Sequence, residues 1–151
     1  MSIRDLIRAS LRMRPDRIIV GEVRGEETLD MIQAMSTGHD GSLSTGHGNS
    51  PADMMARLET MVLMGMDMPV SAVRQQISAA IDIIVHLGRL RDKTRRVLKI
   101  VEIKGLSKGE ITYNTLYEFK ETGEKDGRVE GGLVKVSAGL INLEKMQRAG
   151  Y

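Results

Sequence analysis

The segment "RIIVGEVRG" (17–25) constrains this chain more than any other. Ile18, Ile19 and Val20 are three apolar β-branched residues in a row, the pattern of a strand covered on both faces of a parallel sheet. Parallel strands cannot be joined by a tight turn, so a chain built on such a strand must supply crossover helices. The run then passes straight into Gly21 and Glu22. In open α/β sheets, ligands sit outside the carboxyl ends of the strands, and that is where Glu22 stands.

The flanking segments read as the helices this strand requires. Residues 2–13 place Ile3, Leu6, Ile7 and Leu11 on one face; Ser2 and Asp5 form a capping-box pattern, and Pro15 stops the helix. Arg4, Arg8 and Arg12 line its other side and read as a solvated face. Residues 26–36 form a second helix carrying Leu29, Ile32 and Met35, stopped near Gly38. "TGHDGSLSTGHGNS" (37–50) is a polar loop with a short strand in its middle, Ser42 to Thr45. Ser50 and Pro51 then read as cap and first turn of a helix over 52–64, with Met54, Met55, Leu58, Met61 and Val62 on one side. Residues 70–81 are a further helix, with Val70, Val73, Ile77 and Ile81 inward.

The second half changes character. "DIIVHL" (82–87) reads as another buried strand, "RLRDKTRR" (89–96) as a charged turn, and "VLKIVEI" (97–103) as its antiparallel partner. "EITYNTLYEF" (110–119) alternates, which puts Ile111, Tyr113, Thr115, Tyr117 and Phe119 on one face of a half-exposed strand. After Lys120 the chain turns polar and closes with a short helix near Asn142 to Arg148. The fold class is therefore α/β: parallel strands with crossover helices, then antiparallel strands and a short C-terminal helix. The predicted organisation is one domain, 1–120, with 121–151 as its polar tail.

Composition excludes several classes. There is no cysteine, hence no disulfide scaffold, thiol nucleophile or Cys-ligated zinc. A net charge of +2 is too small to argue for nucleic acid. No apolar run approaches the roughly 18 residues of a membrane span. Arg4, Arg8 and Arg12 interrupt any signal-peptide core, so a soluble cytoplasmic protein is the simplest reading. With one Phe and no Trp, eleven Met must fill part of the core.

If the strands ending at Glu22 and at Thr45, Gly46 and His47 are neighbours, a carboxylate and an imidazole face one crevice. With a hydroxyl between them, such a pair can orient a water and sense an anionic group. The alternatives are a solvated glutamate, structural histidines, or a small histidine-dependent enzyme using Glu22, His39 and His47. The His39–His47 spacing matches no zinc pattern. Arg57 and Arg74 read as polar-face residues able to reach a neighbouring subunit.

"RIIVGEVRG", "TGHDGSLSTGHGNS", "RQQISAAIDIIVHLGRLRDKTRRV" and the tail "DGRV" together resemble the motor domain of the type II/type IV secretion ATPases, most of all the CpaF-like branch of tight-adherence pilus systems. The first resembles that family's Walker B segment and the second its histidine box. The resemblance implies a partial RecA-like P-loop core, with Glu22 as the carboxylate polarising the attacking water. It implies that Gly21, Arg24, His39, Thr45 and His47 surround the nucleotide, with His47 near the γ-phosphate. It implies ATP and Mg²⁺ as cofactors of the complete enzyme, a homohexameric ring, and an inner-membrane platform partner at the cytoplasmic face of that membrane.

The phosphate cradle G-x-x-x-x-G-K-[S/T] is absent from the chain. The resemblance is thus to the back half of the motor, expected to bind no ATP and to be inactive by itself. The alternative is a non-catalytic interaction module of a secretion or pilus ring.

Overall fold

Two short strands, β1 (Ile19–Val20) and β2 (Leu43–Ser44), pair in parallel, Ile19 opposite Leu43 and Val20 opposite Ser44. This computed structural model describes residues 1–151. The connection between the strands is helix α2 (Glu27–Met35), so β1–α2–β2 is the crossover unit that the apolar run required. Around it stand α1 (Ile3–Leu11), α3 (Pro51–Gly65) and α4 (Val70–Ala80), all three packed against α2. Four antiparallel strands follow, β3 (Ile83–Arg89), β4 (Arg95–Ser107), β5 (Glu110–Lys125) and β6 (Arg128–Lys135), in that spatial order, and then a short helix α5 (Glu144–Arg148). The predicted fold class holds: parallel strands with a crossover helix, then antiparallel strands, then a C-terminal helix. By packing, the chain forms two compact units, Met1–Ile81 with Leu106–Glu110, and Asp82–Gly105 with Ile111–Tyr151.

The first unit has its core on α2. Its Leu29, Met31, Ile32 and Ala34 are buried against Met55, Leu58 and Val62 of α3 and Val73 and Ile77 of α4. Each such large aliphatic side chain contributes about 1.5–3 kcal/mol on leaving water. The helix boundaries follow local rules. Ser2 and Asp5 form the expected capping box on α1, and Ser50 accepts the Asp53 N–H with Pro51 in the first turn of α3.

Asp30 on α2 is also buried, 5% exposed, and there the basic stripe of α1 departs from its reading as a solvated face. Arg4 Nε and Arg8 Nε donate to the two oxygens of Asp30 at 2.5 and 2.9 Å. The stripe is a clamp because α2 turns a carboxylate toward it, and a carboxylate is buried only when paired. The apolar side of α1 is covered less than its pattern implies: Ile7 is buried, whereas Ile3 and Leu6 are exposed.

Several other expectations fail, among them two apolar runs that are covered on one side only. Ile18 and Val20 are buried, but Ile19 and its partner Leu43 are exposed, so the parallel pair is not covered on both faces. β3 is an edge strand with Ile83, Val85 and Leu87 exposed. Val70, expected inward, is exposed as well. In β5 the strict alternation breaks: Ile111 and Leu116, of opposite parity, are buried and Tyr117 is exposed. Residues 121–135, expected as polar tail, complete a β-hairpin with a register shift between Glu121 and Gly123.

Polar residues do much of the fastening in the second unit. The charged turn between β3 and β4 grips the β5–β6 hairpin: Arg91 pairs with Glu121 and Glu124, and Asp92 accepts the Val129 N–H. The Thr94 hydroxyl, followed by the Val129 and Thr94 N–H groups, holds the Asp92 carboxyl down to about 2. Glu102, 2% exposed, accepts the backbone N–H groups of Ile141 and Asn142 and the side chain of Asn114. Lys145 adds an ion pair to Asp82.

Two outcomes are expected. Asp30→Asn removes the charge from the α1–α2 clamp and costs about 2–3 kcal/mol, read from the urea midpoint. Burial works against the Glu102 charge, but the Asn142, Asn114 and Ile141 donors outweigh it and hold the carboxyl below its ordinary value. A depressed folded pKa gives stability that is present above the unfolded value and lost as pH falls through the folded one. Gly139–Lys145 should therefore exchange amide hydrogens faster, beyond the intrinsic pH effect, once the pH drops below the ordinary carboxylate range. In Glu102→Gln that excess should already be present at neutral pH.

Candidate functional site

The parallel pairing of β1 and β2 continues past the last strand residues. The Val23 N–H donates to the Thr45 carbonyl at 3.2 Å, and the Thr45 hydroxyl donates to the Gly21 carbonyl at 2.6 Å. Both chains therefore leave the sheet side by side. Glu22 leaves from β1 and His47 from β2, and His47 Nε2 lies 2.9 Å from Glu22 Oε1. The expected convergence of carboxylate and imidazole is present.

Arg24 completes the group. Its Nε donates to Glu22 Oε2 at 2.8 Å, with a second, shorter contact from its terminal nitrogen. Glu22 thus has one oxygen on each cationic or donor partner, and its own side chain is 23% exposed. The Arg24 hydrogen bond is the main cause that holds the Glu22 carboxyl below its ordinary value, with His47 assisting and partial burial opposing. The carboxylate is ionised at neutral pH and can only accept hydrogen bonds.

Glu27, the first residue of α2, holds the intervening loop and was not singled out from sequence. Its Oε1 accepts the N–H groups of Arg24 at 2.7 Å and of Gly25 at 3.1 Å. Burial alone would raise its carboxyl, but these N–H donors outweigh that and lower it. The available signal was an acidic residue in the first turn of a helix, two residues after Gly25.

On the other side, Gly46 and Gly48 flank His47 and press against α3. A Cβ on Gly46 would meet the Met54 methyl at 2.3 Å; one on Gly48 would meet Met54 backbone and Cβ atoms at 3.1 Å. The absence of side chains brings the imidazole over the helix. Met54, Arg57 and Met61, at positions i, i+3 and i+7 of α3, then wall a cavity of about 290 Å³ whose other sides are Glu22, Val23, Arg24 and His47.

The remaining predicted residues separate. Gly21 is exposed, and a Cβ there would meet nothing within 4 Å, so the backbone beside Glu22 is open to approach. Thr45 acts through its hydroxyl, as the strut between the two strand ends. His39 is not part of the cavity wall: its Nδ1 lies 3.0 Å from the Ala34 carbonyl, at the C-terminal end of α2. The loop after α2 turns that ring back onto a carbonyl of the last helical turn, which the Thr37 N–H and hydroxyl also reach. A site of Glu22, His39 and His47 together is therefore not assembled. Arg74, read as a residue of the polar face, is held within the chain by Glu59, Glu110 and the Gly109 carbonyl. Arg57 lines the cavity instead of only facing solvent.

Residues 1–137 match the family model described as type II/IV secretion system protein. The chain is 42% identical over 105 residues to the putative conjugal transfer protein Rv3659c of Mycobacterium tuberculosis, covering 69% of this chain and 29% of that one. It is 37% identical over 111 residues to the type IV secretion system protein PtlH of Bordetella pertussis, covering 70% and 33%. Among solved structures it resembles the VirB11 ATPase of the Brucella suis type IV secretion system, crystallised with sulphate. That match has a TM-score of 0.64 at 32% identity, over 68% of this chain and 32% of that one. The chain spans 29–33% of the length of these relatives.

Gly48→Ala should displace His47 more than Gly46→Ala. The Met54 methyl can swing away from a new Cβ, whereas its backbone cannot. We expect a cost of about 1–2 kcal/mol for the first and less for the second, read from thermal midpoints and from the His47–Glu22 proximity by NMR. Thr45→Val should cost about 1 kcal/mol by removing the strut.

Proposed function

The chain belongs to the type II/IV secretion system protein family, and on that premise we propose that it is the C-terminal portion of an ATP-driven secretion or pilus-assembly motor. The observation that carries the reading is the contact of Glu22 with His47 across two adjacent parallel strands, at the edge of a cavity with arginines. "RIIVGEVRG" then serves as the Walker B segment and "TGHDGSLSTGHGNS" as the histidine box. Glu22 is the catalytic carboxylate, and Gly21, Arg24, Thr45 and His47 are the groups around the terminal phosphate. His39 supports the same loop from the end of α2.

The residues present fit one end of a nucleotide: an ionised carboxylate, two guanidiniums, an imidazole and an open glycine backbone. They do not include the Gly-Lys-Ser/Thr cradle for the inner phosphates. Mg²⁺–ATP, when bound to the complete motor, supplies the phosphoanhydride bond and charge neutralisation. Glu22 orients a water through its acceptor oxygens and takes up the proton that the water loses. Arg24 holds Glu22 ionised until an anion competes for the guanidinium. His47, joined to Glu22, links this event to the loop that enters α3.

Within the family we assign the chain to the CpaF-like branch, on the sequence runs 37–50 and 74–97. We place it in a homohexameric ring at the cytoplasmic face of the inner membrane, working against an inner-membrane platform protein. No helix is long and apolar enough to cross a membrane, which suits a peripheral role.

The test is calorimetric titration of Mg²⁺–ATP into the 151-residue chain and into a version extended toward the N-terminus through a P-loop. We expect binding and hydrolysis only in the extended form, with Glu22→Gln lowering its turnover by about 10²–10⁴-fold. Turnover by the short chain that depends on Glu22 would sink the fragment reading. An extended chain that binds no nucleotide would favour the interaction module.

A further inference from the structure

The cavity beside Glu22 contains a cation with no partner of its own. Glu22 is committed on both oxygens, to His47 and to Arg24. Arg24 is therefore committed as well. Arg57 lines the same cavity and makes no hydrogen bond or ion pair with the chain. The acids nearest to it in sequence on α3 are occupied: Asp53 accepts the Asn49 N–H, and Glu59 is paired with Arg74. The cavity thus holds one carboxylate against two guanidiniums, with an imidazole beside them.

The position of Arg57 is set by the helix. Leu58 and Met61 are buried, which fixes the rotation of α3. That rotation brings Met54, Arg57 and Met61 together along the cavity wall. The methionines lie one turn to either side of the arginine and offer its methylene stem apolar surface. The guanidinium is left with its planar fork of donors free, a geometry that matches two oxygens of a phosphate.

We propose that Arg57 is a phosphate-binding residue of this site, contacting the terminal phosphate group of the nucleotide and the inorganic phosphate left after cleavage. The proposal rests on the motor reading and adds to it a residue within this chain that binds the group being transferred. Arg57 then supplies positive charge where charge is redistributed during phosphoryl transfer, from a guanidinium that needs to leave no carboxylate to do so.

The 151-residue chain can test this without turnover. Inorganic phosphate is titrated against chloride at matched ionic strength. The Arg57 Nε–H and the amides of Gly46, His47 and Gly48 are followed by NMR. We expect saturable shifts in the wild type, weakened about tenfold or more in Arg57→Ala. Arg57→Lys should recover only part of the affinity, because a lysine offers no fork. Thermal midpoints should stay unchanged in both, since Arg57 is exposed and unbonded. Equal phosphate affinity in Arg57→Ala, or no saturable shift in the wild type, overturns the proposal. The motor reading fails separately, if the extended chain neither binds nor hydrolyses ATP. In a hydrolysing extended chain, Arg57→Ala with unchanged kcat and KM would sink only the Arg57 role.

Discussion

The side-by-side exit of two parallel strands is the constraint on which the site depends. Backbone hydrogen bonds align Ile19 with Leu43 and Val20 with Ser44, and the Thr45 hydroxyl carries that alignment past the end of the ladder. Without it, Glu22 and His47 would be two loop residues separated by a helix and a loop. With it, they are neighbours at 2.9 Å. Parallel strands place their carboxyl ends at the same edge, so the crossover through α2 does two jobs. It builds the core, and it delivers two functional groups to one place.

The same physical device recurs through the molecule: a carboxylate wholly or partly taken out of water and surrounded by donors. Asp30 ties α1 to α2, Glu27 ties the Arg24 loop to the start of α2, and Glu102 ties the C-terminal segment to the antiparallel sheet. In each case the partners are placed by an element other than the one that carries the acid. A buried carboxylate without donors is costly, so each of these acids also specifies an arrangement. Glu22 differs in its partners, the exposed side chains of Arg24 and His47, which are open to competition from solvent and anions.

Much of the first unit was legible. The caps at Ser2 and Ser50, the proline at the start of α3 and the apolar spacing of α2 to α4 are local signals, and local signals survive folding. The Glu22–His47 pair was legible because the β-branched run and the Ser42–Thr45 strand both end just before chemistry-bearing residues. Arg4 and Arg8 were misread because sequence shows which side of a helix they occupy but not that Asp30 lies opposite. The His39 ring lies on the Ala34 carbonyl and not in the cavity wall, because the path of the loop after α2 is set by packing that residue order does not report. The exposed Ile83, Val85 and Leu87 were read as buried because an apolar run reports what a strand can tolerate, not whether something covers it.

From the residue order alone came the strand–helix–strand unit, the helix ends, the carboxylate at a strand terminus and the absence of a phosphate cradle. All of these follow from short-range sterics, hydrogen bonding and periodicity. The tertiary structure alone decided which arginine meets which acid, that Glu27 holds the loop at Arg24, and that Arg57 faces the cavity unpaired. Those outcomes depend on distances between residues far apart in the chain, and such distances exist only once the helices have packed.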